Sequence, residues 1–470
     1  MTRDDDPLIS IVTVNFNGKP FLRNLFNSIH DLDYPAEKIQ MIMVDNNSED
    51  DSVKFVEEEF PWVEVVSLKK NMGYAGGNNE GLKRAKGKYI ALINNDCVVE
   101  RDWLSEMLLI FRQSGGDSKI GAVGSKVLFY YPYLPVQFIA SSASGGGAGV
   151  GEDFRRLGVK IYDVTVKNNG KSGIVSNNDL SSKIKYPEGF YPAESDDNGE
   201  VYRWTQDNAI LAIPVADPDS DLEIQFRASS YISPNSLQIV VGGEILQEFA
   251  LSEKIKRVRI KIPKRLFSCC RDIINSCGIK INRSCYSKDR GFECFDYGQY
   301  NRVEEVFGLS GSSFMVDRKM LEDVGYFDES FFTYYEDVDL FWRSRLAGWK
   351  NFFTPKSVTR HFHCGAGKEW SYSFTYFVVR NRLLMIFKCG WPLLFFRNYF
   401  AFVFSSMVNI LYYLAGLLRG KKQKRVDIPV RIRVFFELFY LIPTNLIKRI
   451  KIRKNSKIQD NIIKSWMRDF

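Results

Sequence analysis

The chain has 470 residues, of which 45% are hydrophobic and 26% charged, an ordinary globular composition that is long enough for two or three domains and excludes a disordered or fibrous protein. Its formal charge of +8 is uneven: residues 419–470 hold fifteen Lys/Arg against four Asp/Glu, a net of +11 that leaves −3 for the rest. A basic tail of this kind suits an anionic membrane surface and argues against a nucleic-acid-binding fold.

Met1 to Asp6 is polar and acidic, without the apolar core of a secretory signal. The eight cysteines contain no Cys-x-x-Cys pair, so reduced thiols in a cytoplasmic protein are expected, not a zinc site. Ile9 to Phe16 is an apolar, β-branched run, and Phe21 to Ile29 follows with helical spacing. A second strand, Ile39 to Val44, ends in Asp45-Asn46-Asn47-Ser48, and Phe55 opens another helical patch. Val63 to Leu68 reads as a strand, and Asn71 to Asn79 as a glycine-rich turn leading into a helix from Glu80 to Ala85. Tyr89 to Ile93 is almost wholly apolar and stops at Asn94-Asn95-Asp96, as a strand buried on both faces does at its polar end. Strands alternating with helices imply a doubly wound parallel sheet, with ligands at the carboxyl ends of its strands. A carboxylate beside amides there suits Mg²⁺ or Mn²⁺ carrying phosphate oxygens. Asp45 can accept a hydrogen bond from a base or ribose, and Gly73, Gly76 and Gly77 allow a bulky ligand to approach. No P-loop and no GxGxxG fingerprint occurs.

Four runs, Ser10-Ile-Val-Thr-Val-Asn-Phe-Asn-Gly18, Val44-Asp-Asn-Asn-Ser48, Asn71-Met-Gly-Tyr-Ala-Gly-Gly-Asn-Asn79 and Ile93-Asn-Asn-Asp96, resemble the successive motifs of family 2 inverting glycosyltransferases of GT-A fold, in appearance the bacterial rhamnosyltransferase-like subgroup. The resemblance implies nucleotide-sugar contacts from Val14, Asn15, Asp45, Gly73, Tyr74, Asn94 and Asn95. It also implies that Asn94 and Asp96 stand where the family's Asp-x-Asp grips metal and diphosphate, with Asn94 replacing the first carboxylate.

The pattern breaks after Phe129 and resumes near Phe307. Ser141 to Gly149 and Asn168 to Lys185 read as loop, and residues 136–185 as a linker. From Val201 the texture alternates: Leu222, Ile224 and Phe226, then a hairpin over Leu237 to Phe249 turning at Gly242-Gly243, then Val258, Ile260 and Ile262. An inserted all-β sandwich over 186–295 is expected, with Trp204 in its core. It separates a nucleotide-sugar-binding half, 1–135, from an acceptor half, 296–390.

In the acceptor half, Leu309 to Val316 reads as a strand, and Glu336, Asp337 and Asp339 fall on the first turn of a helix. Helix-dipole and capping duty would account for such acids. The aromatics Phe331, Phe332, Tyr334 and Tyr335 before them suggest a walled sugar pocket. This run resembles the family's Glu-Asp motif, which makes Asp337 the general base and assigns Gly311, Ser312, Glu336, Trp342 and Arg343 to the acceptor. By the same resemblance His361, at the end of a strand from Ser357, is a metal ligand beside Asp96, with His363 as the fallback.

Tyr399 to Leu418 is twenty residues without charge, flanked by cations on both sides, including Arg419 to Arg425. Positive charge on both flanks disfavours a single crossing, so residues 391–470 are expected to be helical and to lie on the inner face of the cytoplasmic membrane. The expectation is an inverting, metal-dependent transferase taking dTDP-rhamnose or a UDP-hexose to a glycan or lipid-linked glycan. The alternatives are a carbohydrate-binding protein with a degenerate transferase half, and a nucleotidyltransferase on the same sheet.

Overall fold

The computed structural model describes residues 6–113, 119–144, 155–168, 177–196, 199–363, 371–418 and 427–469. They form two compact units; the second comprises Phe129–Asn275 with Glu293–Gln299, and the first the remainder.

The first unit opens with β1 (Ile9–Asn15), α1 (Lys19–His30), β2 (Ile39–Asp45), α2 (Ser52–Glu59), β3 (Val63–Ser67), α3 (Gly73–Arg84) and β4 (Tyr89–Ile93). β1 lies between β2 and β4, with β3 outside β2, all parallel. All of β4 is buried, because helices cover both faces of a parallel sheet. The register sets Asn15 opposite Asp45, so both polar strand ends face one edge.

α3 corrects the sequence reading. It begins at Gly73, not Glu80, and takes in the whole glycine run. A Cβ on Gly77 would lie 2.8 Å from Val14 Cγ1, and one on Gly81 2.3 Å from Val12 Cγ1. These two glycines let the helix rest directly on β1, and a Cβ on Gly76 would meet Met72 at 2.7 Å; none opens space for a ligand. Gly81→Ala is therefore expected to destabilise the protein by about 1–3 kcal/mol despite alanine's better helix propensity, read as a lower urea midpoint at unchanged slope. An unchanged midpoint would mean that β1 and α3 can separate at no cost.

After β5 (Cys97–Val99), α4 (Trp103–Gln113) and β6 (Ile120–Phe129) come the strands of the second unit. These are β7 (Tyr133–Ala140), β8 (Ala143–Ser144), β9 (Arg156–Leu157), β10 (Val159–Asn168), β11 (Lys185–Phe190), β12 (Glu194–Ser195), β13 (Val201–Pro214), β14 (Leu222–Ser230), β15 (Asn235–Val241), β16 (Glu244–Leu251) and β17 (Lys256–Ile262), with α5 (Asn177–Ser182) between β10 and β11. They pair in the order β16-β15-β7-β13-β10-β14-β17, as two sheets joined by the long β13, which pairs with β10 through Tyr202–Trp204 and with β7 through Asn208–Pro214. Phe138 of β7 packs on Phe226 of β14, three places away, with ring centroids 5.3 Å apart. The two sheets thus share a single core of alternating residues. The hairpin turns at Gly242 and Gly243, both at positive φ, as the sequence predicts. Trp204 is buried.

The linker reading of 136–185 is corrected by β7 and β10, which are interior strands of these sheets. β10 alternates Lys160, Asp163 and Lys167 with its buried residues, while β7 is apolar but carries Pro135, which argues against an interior strand. Asn168, read as loop, is a buried strand end whose Oδ1 accepts from Ala216 N and Asp217 N and whose amide donates to Asp217 O and Ser220 O. The glycine-rich stretch 145–154 and residues 169–176 lie outside the described residues.

β18 (Ile274–Ser276), β19 (Ile279–Ile281), β20 (Ser287–Asp289), β21 (Glu304–Glu305), β22 (Ser313–Asp317), α6 (Arg318–Val324), α7 (Glu336–Leu346) and β23 (Lys350–His361) follow in the chain. β22 runs antiparallel between β4 and β6, which makes the sheet mixed. β23 pairs antiparallel with β5, setting His361 opposite Cys97.

Four helices follow: α8 (Tyr372–Cys389), α9 (Pro392–Leu418), α10 (Asp427–Lys454) and α11 (Asp460–Trp466). Leu383 to Ile386 of α8 are fully buried; α9 joins this core through Leu394, Phe395 and Phe402, and α10 through Val430, Val434 and Leu438. The other faces of α9 and α10 are bare. Phe396, Phe400, Phe404, Met407 and Leu411 recur at helical spacing on α9, and Phe436, Phe439 and Tyr440 stand out on α10. Pro392–Gly416 is long and apolar enough to cross a membrane. The cations at 419–425 lie outside the described residues.

Candidate active site

Three strand ends build the first half of the site. Asn15 donates to Asp45 Oδ1 at 3.1 Å and to Ser48 Oγ at 3.1 Å, while Asp45 Oδ2 accepts from Ser48 N. Asn95 donates to Asn15 Oδ1 at 2.8 Å, so one amide from the end of β4 locks the amide at the end of β1. Gly18 sits so close that a Cβ would meet Asn95 Nδ2 at 2.1 Å. Asn46, absent from the sequence-predicted site, holds the Asn71–Gly73 turn by donating to Gly73 O and accepting from Met72 N. Val14 is half-buried beside α3.

Asp96 lies three residues beyond β4 and immediately before β5, and the pairing of β5 with β23 carries His361 to it. Asp96 Oδ1 and His361 Nε2 are 3.1 Å apart and both residues are buried. With Cys97 they form a group whose ligand atoms lie within 4.8 Å of one another. A spacing near 3 Å matches neighbouring ligands of a divalent ion with bonds of roughly 2.1 Å, and a carboxylate with an imidazole suits Mn²⁺. Cys97 does not belong to the donor set. Burial, reinforced by Asp96, pushes its thiol well above the usual range, and its Sγ faces Ser312 O. The spacing of Asp96 and His361 therefore fits a divalent metal.

The second half is built on strained backbone. Phe332, Tyr334 and Tyr335 all have positive φ, near 64°, 65° and 70°, which costs of order 1–3 kcal/mol each for bulky residues. Asn381 of α8 holds the turn by donating to Phe331 O, Thr333 O and Tyr334 O at 2.7–2.9 Å. The turn delivers Glu336 and Asp337 to the N-terminus of α7. Asp337 Oδ2 accepts from Gly311 N at 3.0 Å and Oδ1 from Val338 N at 2.7 Å. Burial pushes its carboxyl up to about 6, against the pull of those two N–H groups. Glu336 beside it is raised well above the carboxylate range by burial and by Asp337. Tyr74 Oη donates to Gly311 O at 2.5 Å and is held neutral, first by burial and then by Glu336 and Asp337. Tyr74 thus links α3 to the loop carrying Gly311 and Ser312, and its phenol is engaged there.

Asp96 and Asp337 meet through that loop. Asn94 N donates to Ser312 O at 3.0 Å, and the adjacent Gly311 N donates to Asp337. Two neighbouring residues thus connect the strand end that carries Asp96 to the Asp337 carboxylate.

Two predicted acceptor contacts are placed elsewhere. Trp342 is fully buried against Phe307. Arg343 pairs with Asp339 at 2.9 Å and donates to the carbonyls of Val324, Gly325 and Tyr326. Both lie five or six residues beyond Asp337, which on a 3.6-residue helix turns them away from it. Phe331 and Tyr335 are likewise core, leaving Phe332 and Tyr334 half-buried as candidates for a sugar wall.

Residues 10–151 match the sequence profile of glycosyl transferase family 2. The matched residues hold the parallel strands β1 to β4 of the mixed α/β sheet. Over 105 residues the chain is 31% identical to the putative teichuronic acid biosynthesis glycosyltransferase TuaG of Bacillus subtilis (strain 168), covering 22% of this chain and 41% of that protein. Over 129 residues it is 23% identical to glycosyltransferase AglE of Haloferax volcanii, covering 27% and 41%. The chain thus spans less than half the length of either. The crystal structure of S. aureus TarS 1-349 superposes with a TM-score of 0.39 at 13% identity, covering 95% of this chain and 88% of that one.

Proposed function

We propose that the chain is an inverting, metal-dependent glycosyltransferase that moves a sugar from dTDP-rhamnose or a UDP-hexose to a hydroxyl of a glycan or lipid-linked glycan of a bacterial surface polymer. The observation that carries this reading is the link just described, in which Ser312 and Gly311 join the Asp96–His361 pair to the Asp337 carboxylate. A nucleotide over Asn15 and Asp45 would lay its diphosphate beside Asp96 and its sugar toward Asp337. Asp337 takes the acceptor hydroxyl's proton as that oxygen bonds to the anomeric carbon and the bond to the diphosphate breaks, inverting the centre. A divalent ion on Asp96 and His361 supplies neutralisation of the charge on the departing diphosphate. The name of TuaG supports a cell-wall polymer as the product's destination. The bare apolar faces of α9 and α10 support peripheral attachment to the cytoplasmic face of the membrane, where a lipid-linked acceptor resides.

Release of nucleoside diphosphate from UDP-GlcNAc, UDP-glucose and dTDP-rhamnose, with Mn²⁺, Mg²⁺ or EDTA, tests the reading. One donor should be turned over, EDTA should stop it, and His361→Ala should raise the metal concentration required at least about tenfold. Turnover indifferent to EDTA would remove the metal, and no turnover of any nucleotide sugar would favour the carbohydrate-binding alternative.

A further inference from the structure

Asp289 ends β20 in the short hairpin with β19, opposite Ile279. Two contacts fix the hairpin against the site. Ile279 N donates to Gly308 O at 2.8 Å, in the loop that leads to Gly311. Ser287 N donates to Tyr335 Oη at 3.2 Å, and Tyr335 immediately precedes Glu336 and Asp337. The Asp289 carboxylate lies within the electrostatic reach of both Asp337 and His361, beside the hydroxyls of Ser276 and Ser310. Its Oδ1 is completely buried and has no hydrogen-bond partner among the described residues. No cation among the described residues pairs with it either. A buried carboxylate oxygen left this way costs free energy unless something arrives to donate to it.

We propose that Asp289 is a specificity-determining residue that receives a hydroxyl of the sugar being transferred. This assignment rests on the transferase reading. There, the nucleotide is held at Asn15 and Asp45, the diphosphate at Asp96 and His361, and the acceptor hydroxyl at Asp337. The group lying between the diphosphate and the attacking hydroxyl is the donor's own sugar ring, and a carboxylate is a natural partner for ring hydroxyls. The unpartnered, buried Oδ1 leaves an acceptor free for such a hydroxyl. The hairpin comes from the chain just after the second unit, outside the four motifs of the nucleotide half. Donor choice would thus be set by a segment separate from the nucleotide-binding residues.

The test uses the full chain with Mn²⁺, the nucleotide sugar that wild type turns over among UDP-GlcNAc, UDP-glucose and dTDP-rhamnose, and the matching nucleoside diphosphate. Calorimetry on Asp289→Ala should show affinity for the nucleotide sugar falling at least about tenfold, with nucleoside diphosphate affinity within about twofold of wild type. Asp289→Asn, which keeps size and an acceptor oxygen, should recover part of the loss. Equal losses for both ligands would make Asp289 a structural residue, and no loss for either would overturn the assignment while the transferase reading stands. If wild type bound none of the three nucleotide sugars, the transferase reading would fall, and this assignment with it.

Discussion

Asp337→Asn should lower kcat by about 10²–10⁴-fold, the usual contribution of a positioned general base, while leaving nucleoside diphosphate binding intact. Asparagine is nearly isosteric and keeps one acceptor oxygen, so it can still accept from either Gly311 N or Val338 N while its NH2 faces the other. Wild type should show an acid limb in its pH–rate profile near pH 6, because burial raises the Asp337 carboxyl to about 6 and only the ionised form can take a proton. An unperturbed aspartate, near 3.9, would put that limb about two units lower. The same shift predicts the stability effect. Since the folded carboxyl binds its proton more tightly than the unfolded one, its ionised form opposes folding above pH 6 and this cost disappears on acidification. Asp337→Asn removes that cost but loses one of the two N–H bonds, so the two effects oppose and its Tm at pH 7 should lie within about 2 °C of wild type. A variant that loses activity together with several degrees of Tm would assign Asp337 a structural role, and one keeping more than about a tenth of the rate would displace it as the base.

The parts of the site that the sequence revealed are those whose local pattern changes abruptly. Asn15, Asp45 and Asp96 each stand where an apolar run stops, because a buried parallel strand must be apolar and its carboxyl end must be polar. Asp337 and His361 carried similar marks, a helix start rich in acid and a strand end rich in histidine. What stayed hidden depends on partners far away in the chain. Tyr74 finds Gly311 across 237 positions, and nothing near Tyr74 announces it. Asn381 is one amide in a greasy helix, yet three carbonyls of a strained turn depend on it. Trp342 and Arg343 matched a motif by position, but helix periodicity directs them into the core. Glycine is ambiguous in the same way. Gly77 and Gly81 signal close approach, and only the packing tells that the approaching group is β1.

Lys388→Met should cost about 3–5 kcal/mol of stability, because it removes the cation shared by two buried carboxylates. Lys388 is wholly buried, contacts Asp328, and lies 2.8 Å from Asp339, whose side chain is fully buried too. Lys448 still reaches Asp328 and Arg343 still reaches Asp339, so each acid keeps one partner where it now has two. The consequence extends to the chemistry. Asp328 caps the short turn at Ser330, and Asp339 orients the guanidinium that binds Val324, Gly325 and Tyr326, so the cluster braces both sides of the segment that presents Asp337. Burial by itself would raise Asp328, but Lys388 and Lys448 hold it far below the usual carboxylate range, and this stabilisation is lost only as pH falls through that depressed value. For Lys388 burial pulls downward and is outweighed by Asp339 and Asp328, so its contribution is present below its ordinary value and fades only at higher pH. The penalty of Lys388→Met should accordingly be the same at pH 5 and pH 9, and thermal unfolding should show a Tm lower by roughly 10 °C. Adding Asp328→Asn should restore part of it, since the remaining partner of Asp328, the partly exposed Lys448, compensates that buried charge less fully than Lys388 does. A Tm within about 2 °C of wild type would mean that water reaches the cluster, and the bracing of Asp337 would have to come from Asn381 alone.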